Sequence, residues 1–194
     1  MSITGNAGFF SFDGYILTSG GNSLDISFSE IVILAGSSDH SVAAGVYAYV
    51  CDQVQTAVDV HNSGADGIDF AYCKHAVVTS GVIDLSTVMG IVFMSCNYAR
   101  VGACTVQNSG GSGIYCDGAV TFSGIVAGAA NTAYGVQLGD KSELILSATP
   151  TITGGSGNLM LGMAPAIVWA TDLANNGDRV VHSETLSLVV NIIP

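Results

Sequence analysis

Charge is scarce in this sequence, and basic residues are the scarcest of all. Lysine and arginine together number 4 among 194 residues, against 15 aspartates and glutamates, which gives a formal net charge of −11 at pH 7. A protein that binds the phosphate backbone of DNA or RNA needs clustered cations, and this chain has too few. The same scarcity excludes a coiled coil, whose heptads are rich in lysine, arginine and glutamate. We therefore expect no nucleic-acid partner.

Proline is also rare, with 3 residues, and charged residues make up only 10% of the chain. An ordinary soluble domain has about 25% charged residues. Disorder requires low hydrophobicity together with high charge, whereas 49% of this chain is hydrophobic. The composition therefore predicts one compact domain that can bury a sizeable core.

No targeting or membrane-spanning segment is recognisable. Met1 is followed by Ser-Ile-Thr-Gly, without the basic and apolar regions of a secretory signal. The charge-free stretches 118–139 and 144–171 are interrupted by glycine, asparagine or proline, which an apolar helix of about 20 residues would not contain. The five cysteines include no Cys-x-x-Cys pair. We expect free thiols, synthesis in a cytoplasm and no membrane insertion.

A repeat of 22 or 23 residues is the strongest signal in the sequence. Glycine followed by valine or isoleucine recurs in one phase, and a further step of 23 residues reaches Asn158-Leu159. Within each unit apolar and polar residues alternate, which is the period of a β-strand. Units of this kind predict an all-β, single-domain parallel β-solenoid of about six regular coils. The five glycine pairs are Gly45-Val46, Gly67-Ile68, Gly90-Ile91, Gly113-Ile114 and Gly135-Val136.

Other columns keep the same phase. The cysteines six residues after the first three glycines are interpreted as a buried structural ladder, because stacked neighbours are not tetrahedral metal ligands. Asparagines recur near one turn, where they can cap backbone groups and tolerate left-handed dihedrals. We predict no metal and no cofactor. The cysteine column is Cys51, Cys73 and Cys96; the asparagines are Asn62, Asn108 and Asn131; the apolar column nine residues after each glycine or Asn158 is Val54, Ala76, Ala99, Phe122, Leu144 and Ile167.

The regularity of the repeat also predicts three segments. Residues 1–44 are expected to form irregular coils or a cap, and residues 45–175 the parallel β-helix. Residues 176–194 end in an apolar stretch, which is expected to cap the stack or to pair with another subunit, because an uncovered hydrophobic edge aggregates.

The glycine–isoleucine rungs and the stacked cysteine and asparagine columns resemble the right-handed parallel β-helix proteins of bacteriophage particles. Tailspikes are the best-known group, and they share their fold with pectate-lyase-like enzymes. The resemblance covers about residues 45–175 and implies a right-handed solenoid, a homotrimer, a virion location, and capsid or tail proteins as partners. This chain is too short for the coils and the separate particle-binding head of most tailspikes, which favours a smaller virion part.

Two functions stay open at this point. The first is a non-catalytic structural virion protein, either a capsid decoration or cement protein or a short tail spike or fibre module, which acts by trimeric assembly and surface binding. The alternative is a tailspike-like protein that binds or depolymerises cell-surface glycan with surface carboxylates. Glycan hydrolysis needs two carboxylates about 5–9.5 Å apart. Asp117 and Asp140, on adjacent coils, and the nearby Glu143 are the candidates.

Several polar positions can be interpreted either as ordinary solvated surface or as functional sites. Asp52 and Lys74 occupy one column and predict a modest surface ion pair. The polar column one residue after Asp52 and Lys74 could bind a sugar or a partner subunit, or it could be a solvated face. Asp66 and Asp69 flank the turn at Gly67 and are expected to be solubilising surface. The residues of the polar column are Gln53, His75, Tyr98, Thr121 and Glu143.

Overall fold

The computed structural model describes residues 2–4, 8–124, 126–139, 142–146, 151–161, 167–170, 180–182 and 188–191. These residues form strands and turns, and among them there is no helix that could cross a membrane. The strands are β1 (Ser2–Thr4), β2 (Phe9–Ser19), β3 (Leu24–Ser27), β4 (Ile31–Ser41), β5 (Val46–Tyr49), β6 (Gln53–His61), β7 (Ile68–Ala71), β8 (His75–Asp84), β9 (Ile91–Gln107), β10 (Ile114–Phe122), β11 (Val126–Asn131), β12 (Tyr134–Leu138), β13 (Glu143–Leu146), β14 (Thr151–Gly154), β15 (Gly157–Leu161), β16 (Ile167–Ala170), β17 (Val180–His182) and β18 (Leu188–Asn191).

Every pairing between these strands is parallel, and each joins residues 21 to 24 positions apart, so the chain winds as a solenoid with three sheets. Sheet 1 contains β1, β3, β5, β7, the starts of β9 and β10, β12, β15 and β17. Sheet 2 contains the first parts of β2, β4, β6 and β8, the middle of β9, the end of β10, β13, β16 and β18. Sheet 3 contains the later parts of β2, β4, β6, β8 and β9, then β11 and β14.

The predicted rungs align as the repeat requires. The residues that follow Gly45, Gly67, Gly90, Gly113, Gly135 and Asn158 are in continuous parallel register in sheet 1. The prediction of an all-β parallel solenoid of about six regular coils is therefore confirmed. The segment boundaries at 44/45 and 175/176 stay predictions, although the same path already holds from β2, which pairs with β4 in unbroken register.

Close packing between coils explains why glycine marks the repeat. A Cβ atom on Gly45 would lie 2.8 Å from the carbonyl oxygen of Gly67, and one on Gly113 would lie 2.8 Å from that of Gly135. Real Cβ atoms essentially never approach a backbone oxygen so closely. Glycine at this position therefore allows neighbouring coils to pack closely, and the side chain of the isoleucine or valine after it enters the core.

The core is a stack of inward side chains with one member from each coil. Phe70 and Phe93 are both 0% exposed, and their ring centroids lie 5.7 Å apart. Next to them Val54, Ala76 and Ala99 form the predicted column, but Val120 continues it instead of Phe122. The predicted column is wrong at its end, where Leu144 is followed by Val168 instead of Ile167. A register shift at Gly118, between sheets 1 and 2, accounts for Val120, whereas the pairing of Leu144 with Val168 reflects a step of 24 residues instead of 23.

Two turns of the coil repeat a left-handed residue that is not glycine. The turn between sheets 1 and 2 has φ between +52° and +57° at Phe28, Val50, Tyr72 and Ser95. The turn between sheets 3 and 1 has φ between +53° and +59° at Thr18, His40, Asn62, Leu85, Asn108 and Ala130. Asn62 and Asn108 therefore have the predicted dihedrals. Asn131 is instead buried and performs the predicted capping.

Candidate functional site

Two of the three carboxylates that the sequence singled out, Asp117 and Glu143, lie at one corner of the solenoid. Asp117 ends the part of β10 that belongs to sheet 1, and Glu143 begins β13 opposite Ala119. Between them the hydroxyl of Ser142 accepts a hydrogen bond from the backbone N–H of Gly118 at 3.1 Å. Asp117 and Glu143 thus lie on neighbouring coils at one turn. Asp140, the third candidate, lies outside the described residues.

The predicted polar column exists over its first three members. Gln53, His75 and Tyr98 are aligned on the outer face of sheet 2, with the rings of His75 and Tyr98 5.7 Å apart. Ala119, and not Thr121, comes next, because the shift at Gly118 moves Thr121 opposite Arg100. Glu143 pairs with Ala119 and so does continue the column. A shallow groove of about 280 Å³ follows this face, lined by Ile31, Val32, Ile33, Gln53, Val54, Gln55, His75 and Val77.

A different column, on the outer face of sheet 1, combines aromatic rings with carboxylates. Tyr47 on β5 lies between Asp25 on β3 and Asp69 on β7, in direct parallel register. All three alternate with fully buried residues along their strands, so they point outward. We call the outward residues of this region the tyrosine–aspartate face; its members are Asp25, Phe28, Tyr47, Tyr49, Asp69 and Tyr72.

The aromatic rings of the tyrosine–aspartate face form a continuous row. Tyr47 and Tyr49 are stacked with centroids 6.3 Å apart and an interplanar angle of 11°. The ring of Tyr49 also meets Phe28 at 5.6 Å and Tyr72 at 5.7 Å, edge to face in both cases. Phe28 and Tyr72 are about half exposed, at 51% and 53%. They are exposed because each occupies a left-handed turn position that directs its side chain out of the coil.

The surroundings of Asp69 change the protonation of its carboxyl group. Burial first, and then the negative charge of Asp66, raise its pKa from 3.8 to about 6. Burial also raises the pKa of Asp66, whose Oδ1 accepts a hydrogen bond from the backbone N–H of Met89 at 2.9 Å. Burial, followed by the charges of Asp69 and Asp25, raises the pKa of the Tyr47 phenol. Asp69 can therefore carry a proton close to neutral pH.

Sequence reasoning did not select the tyrosine–aspartate face. The repeat nevertheless contains the signal, because Asp25, Tyr47 and Asp69 each directly follow an apolar rung residue and must point outward. What the repeat does not contain is the turn geometry that adds Phe28 and Tyr72 to the row.

Comparison with known protein families identifies the architecture. Residues 16–158 match the family model described as the right handed beta helix region. The chain belongs to this family. Comparison with curated proteins and with solved structures gave no match. The family assignment agrees with the parallel three-sheet path and adds the right-handed sense of the winding.

The cysteines of this right-handed β-helix are interior, as predicted. All five are free and at most 5% exposed. The Cys73 thiol donates to the carbonyl oxygen of Ala48, one coil earlier, at 3.6 Å. Burial raises the pKa of Cys104 and Cys116 to about 12, which leaves their thiols protonated and unreactive at neutral pH. In the part of the chain that the structure describes, no group of three or more histidine, cysteine, aspartate or glutamate side chains could hold a metal ion.

The predicted ion pair at the edge of sheet 2 is present. Lys74 Nζ lies 2.7 Å from Asp52 Oδ1, and both side chains are more than half exposed. An exposed pair of this kind contributes at most about 1 kcal/mol to stability. The pair neutralises Asp52 where sheet 2 begins.

Proposed function

We propose that this chain is a non-catalytic structural module of a bacteriophage virion, a capsid decoration protein or a short tail spike or fibre. In this proposal it assembles as a homotrimer and binds cell-surface carbohydrate through the tyrosine–aspartate face. The observation that supports carbohydrate binding is the exposed aromatic row beside outward carboxylates. The C–H faces of sugar rings stack on aromatic rings, and carboxylates accept hydrogen bonds from sugar hydroxyls.

The positions of the predicted carboxylates favour binding over hydrolysis. Asp117 shares the outward column of Tyr49, but three coils further along the axis. At the spacing of about 4.8 Å between neighbouring strands, this separation is about 14 Å. A sugar stacked on Tyr49 would therefore lie too far from Asp117 and from the adjacent Glu143 for either carboxylate to act on it.

The test is binding of the full chain to a panel of bacterial surface oligosaccharides, measured by calorimetry. The double variant Tyr47→Ala/Tyr49→Ala is expected to lose at least tenfold in affinity because it removes the stacked pair. Leu85→Ala is the matched control, since Leu85 is 49% exposed but lies in the turn between sheets 3 and 1. Equal affinity of the double variant and the control for a bound oligosaccharide would refute the assignment of this face.

Glycan cleavage is the second candidate, and Asp69 is the observation that favours it. A carboxyl group with a pKa of about 6 can act as a general acid near neutral pH, and Asp66, whose charge acts on Asp69, is the neighbouring carboxylate for the second role that hydrolysis requires. If the chain cleaves glycan, release of new reducing ends should stop in Asp69→Asn and persist in Asp117→Asn and Glu143→Gln. Absence of cleavage by the wild-type chain on an oligosaccharide that it binds would reject this candidate and leave the binding proposal intact.

A further inference from the structure

Carboxylates are distributed unevenly over the three sheets. The strand segments of sheet 1 present Asp25, Asp69 and Asp117, and those of sheet 3 present Asp39, Asp59 and Asp84. By contrast, five consecutive described rungs of sheet 2 contain neither aspartate nor glutamate. These rungs are residues 31–35, 53–57, 75–79, 98–102 and 119–122. A chain with a net charge of −11 thus has one face on which two copies can approach without direct repulsion between carboxylates.

That face is also apolar at one end and cationic further along. Ile31 and Ile33 are 38% and 40% exposed on the first of these rungs, and Phe9, 62% exposed, precedes them on a rung that ends in the exposed Asp13. Arg100 lies three coils after Ile33, and its Nε donates to the Ser123 hydroxyl at 2.7 Å. A groove of about 440 Å³ runs beside it. Exposed apolar side chains grouped in this way typically mark an interaction surface.

The outer face of sheet 3 has the complementary pattern at nearly the same heights. Tyr15 and Leu17, on the first coil, are 61% and 60% exposed. Asp39, Asp59 and Asp84 follow on the second, third and fourth coils, and the last two lie within two coils of Arg100 along the axis. Parallel copies placed side by side would therefore match apolar with apolar residues and carboxylates with a guanidinium group.

We propose that the outer face of sheet 2 is the interface with a second copy of this chain, and that it packs against the outer face of the neighbour's sheet 3. This inference rests on the proposed homotrimer and names its contacts. A ring of three joins two different faces at each contact, which agrees with the different and complementary patterns of sheets 2 and 3. Sheet 1 then stays accessible, with its tyrosine–aspartate face available to carbohydrate.

The size of the face makes each contact between protomers a small one. Six rungs of sheet 2 span about 25 Å along the axis, and five residues of strand span about 17 Å across it, a flat area of about 400 Å². Each contact thus covers about 400 Å² per partner, about half the area per partner of a standard interface, and the second contact of the ring adds an equal area to each protomer. Side-chain relief increases this accessible area further.

The first test is the solution mass of the full chain by light scattering. The wild-type protein is expected at three times 19.7 kDa, and Ile33→Glu/Val77→Glu at 19.7 kDa, because the new carboxylates face the neighbour. Met94→Glu is the matched control, since Met94 is 41% exposed on sheet 1, and it should remain trimeric. Circular dichroism verifies that each variant is folded. A monomeric wild-type chain, or a double variant that remains trimeric, would overturn the proposal.

Cross-linking tests which faces meet. Gln55 lies on sheet 2 and His61 on sheet 3 of one strand, β6, too far apart to be joined within a chain. Gln55→Cys/His61→Cys should form disulfides between chains under oxidation, whereas neither single variant should. Cross-linking of Gln55→Cys to itself would indicate a two-fold contact and contradict the ring. The variant Ile33→Glu/Val77→Glu leaves the tyrosine–aspartate face intact, so its monomer should still bind oligosaccharide. Failure of the proposed interface can therefore be distinguished from failure of the proposed carbohydrate binding.

Discussion

Asn131 connects neighbouring coils of the solenoid, and its replacement by alanine should strongly destabilise the fold. The residue is 1% exposed. Its Oδ1 accepts a hydrogen bond from the backbone N–H of Ser109 at 3.2 Å, one coil earlier. Its Nδ2 donates to the carbonyl oxygens of Val106 at 3.1 Å and Thr153 at 3.0 Å, on the preceding and following coils. No other side chain type could make these three contacts with the same shape.

The size of the effect follows from these contacts. A hydrogen bond contributes about 0.5–1.5 kcal/mol net, and a buried polar group left without a partner costs about 1–3 kcal/mol. Asn131→Ala removes three bonds and leaves one N–H and two carbonyl groups without this partner. We therefore expect the free energy of unfolding to fall by about 3 kcal/mol.

Urea unfolding followed by circular dichroism measures this loss, and amide hydrogen exchange at Ser109 reports it locally. Asn97→Ala is the control, because Asn97 is exposed and its replacement should change stability by less than about 0.5 kcal/mol. A loss below about 1 kcal/mol in Asn131→Ala, with unchanged exchange at Ser109, would refute the argument that this side chain joins the coils.

Three further predictions concern backbone and charge. Gly67→Ala should lower the melting temperature strongly, because its Cβ would lie 2.6 Å from the carbonyl oxygen of Gly90, whereas Gly20→Ala, with open space around it, should not. Val50→Asn should stabilise by about 1 kcal/mol in urea unfolding, since the left-handed conformation at φ +52° is costly for a β-branched residue. The raised pKa of Asp69 means that the folded chain binds more protons than the unfolded chain between pH 4 and 6, so its contribution to stability falls as pH rises through this window. Asp69→Asn should remove this fall and unfold at higher urea than wild type at pH 7.5 but not at pH 4.

The fold could be predicted from the sequence because two different constraints act on adjacent residues. Gly67 must be glycine, since a backbone oxygen of the next coil occupies the space of its Cβ atom. Ile68 must be apolar, since it is fully buried between Val46 and Ile91. The stacking of coils imposes both constraints once per coil, and the pair therefore recurs with the period of the fold.

The errors of the sequence-based prediction arise at the turns between sheets, where the number of residues differs from coil to coil. The register shift at Gly118 placed Val120 where a fixed period predicts Phe122, although both side chains are buried. Apart from Asn62 and Asn108, the left-handed turn residues were not predicted either. Phe28 and Tyr72 are apolar or aromatic residues at dihedrals that favour glycine or asparagine, so residue type gives no sign of them.

The candidate surfaces depend on the same register, which explains why composition did not reveal them. Fifteen acidic residues against four basic ones suggest a uniformly repulsive surface. Once residues 22 or 23 apart are aligned, Asp25 and Asp69 lie on either side of Tyr47, while the outward column of Gln53 and His75 contains no carboxylate before Glu143. Self-association of so acidic a chain depends on where its carboxylates lie more than on how many there are. A single carboxylate added to sheet 2 should therefore weaken assembly more than the same change on sheet 1, although both change the net charge equally.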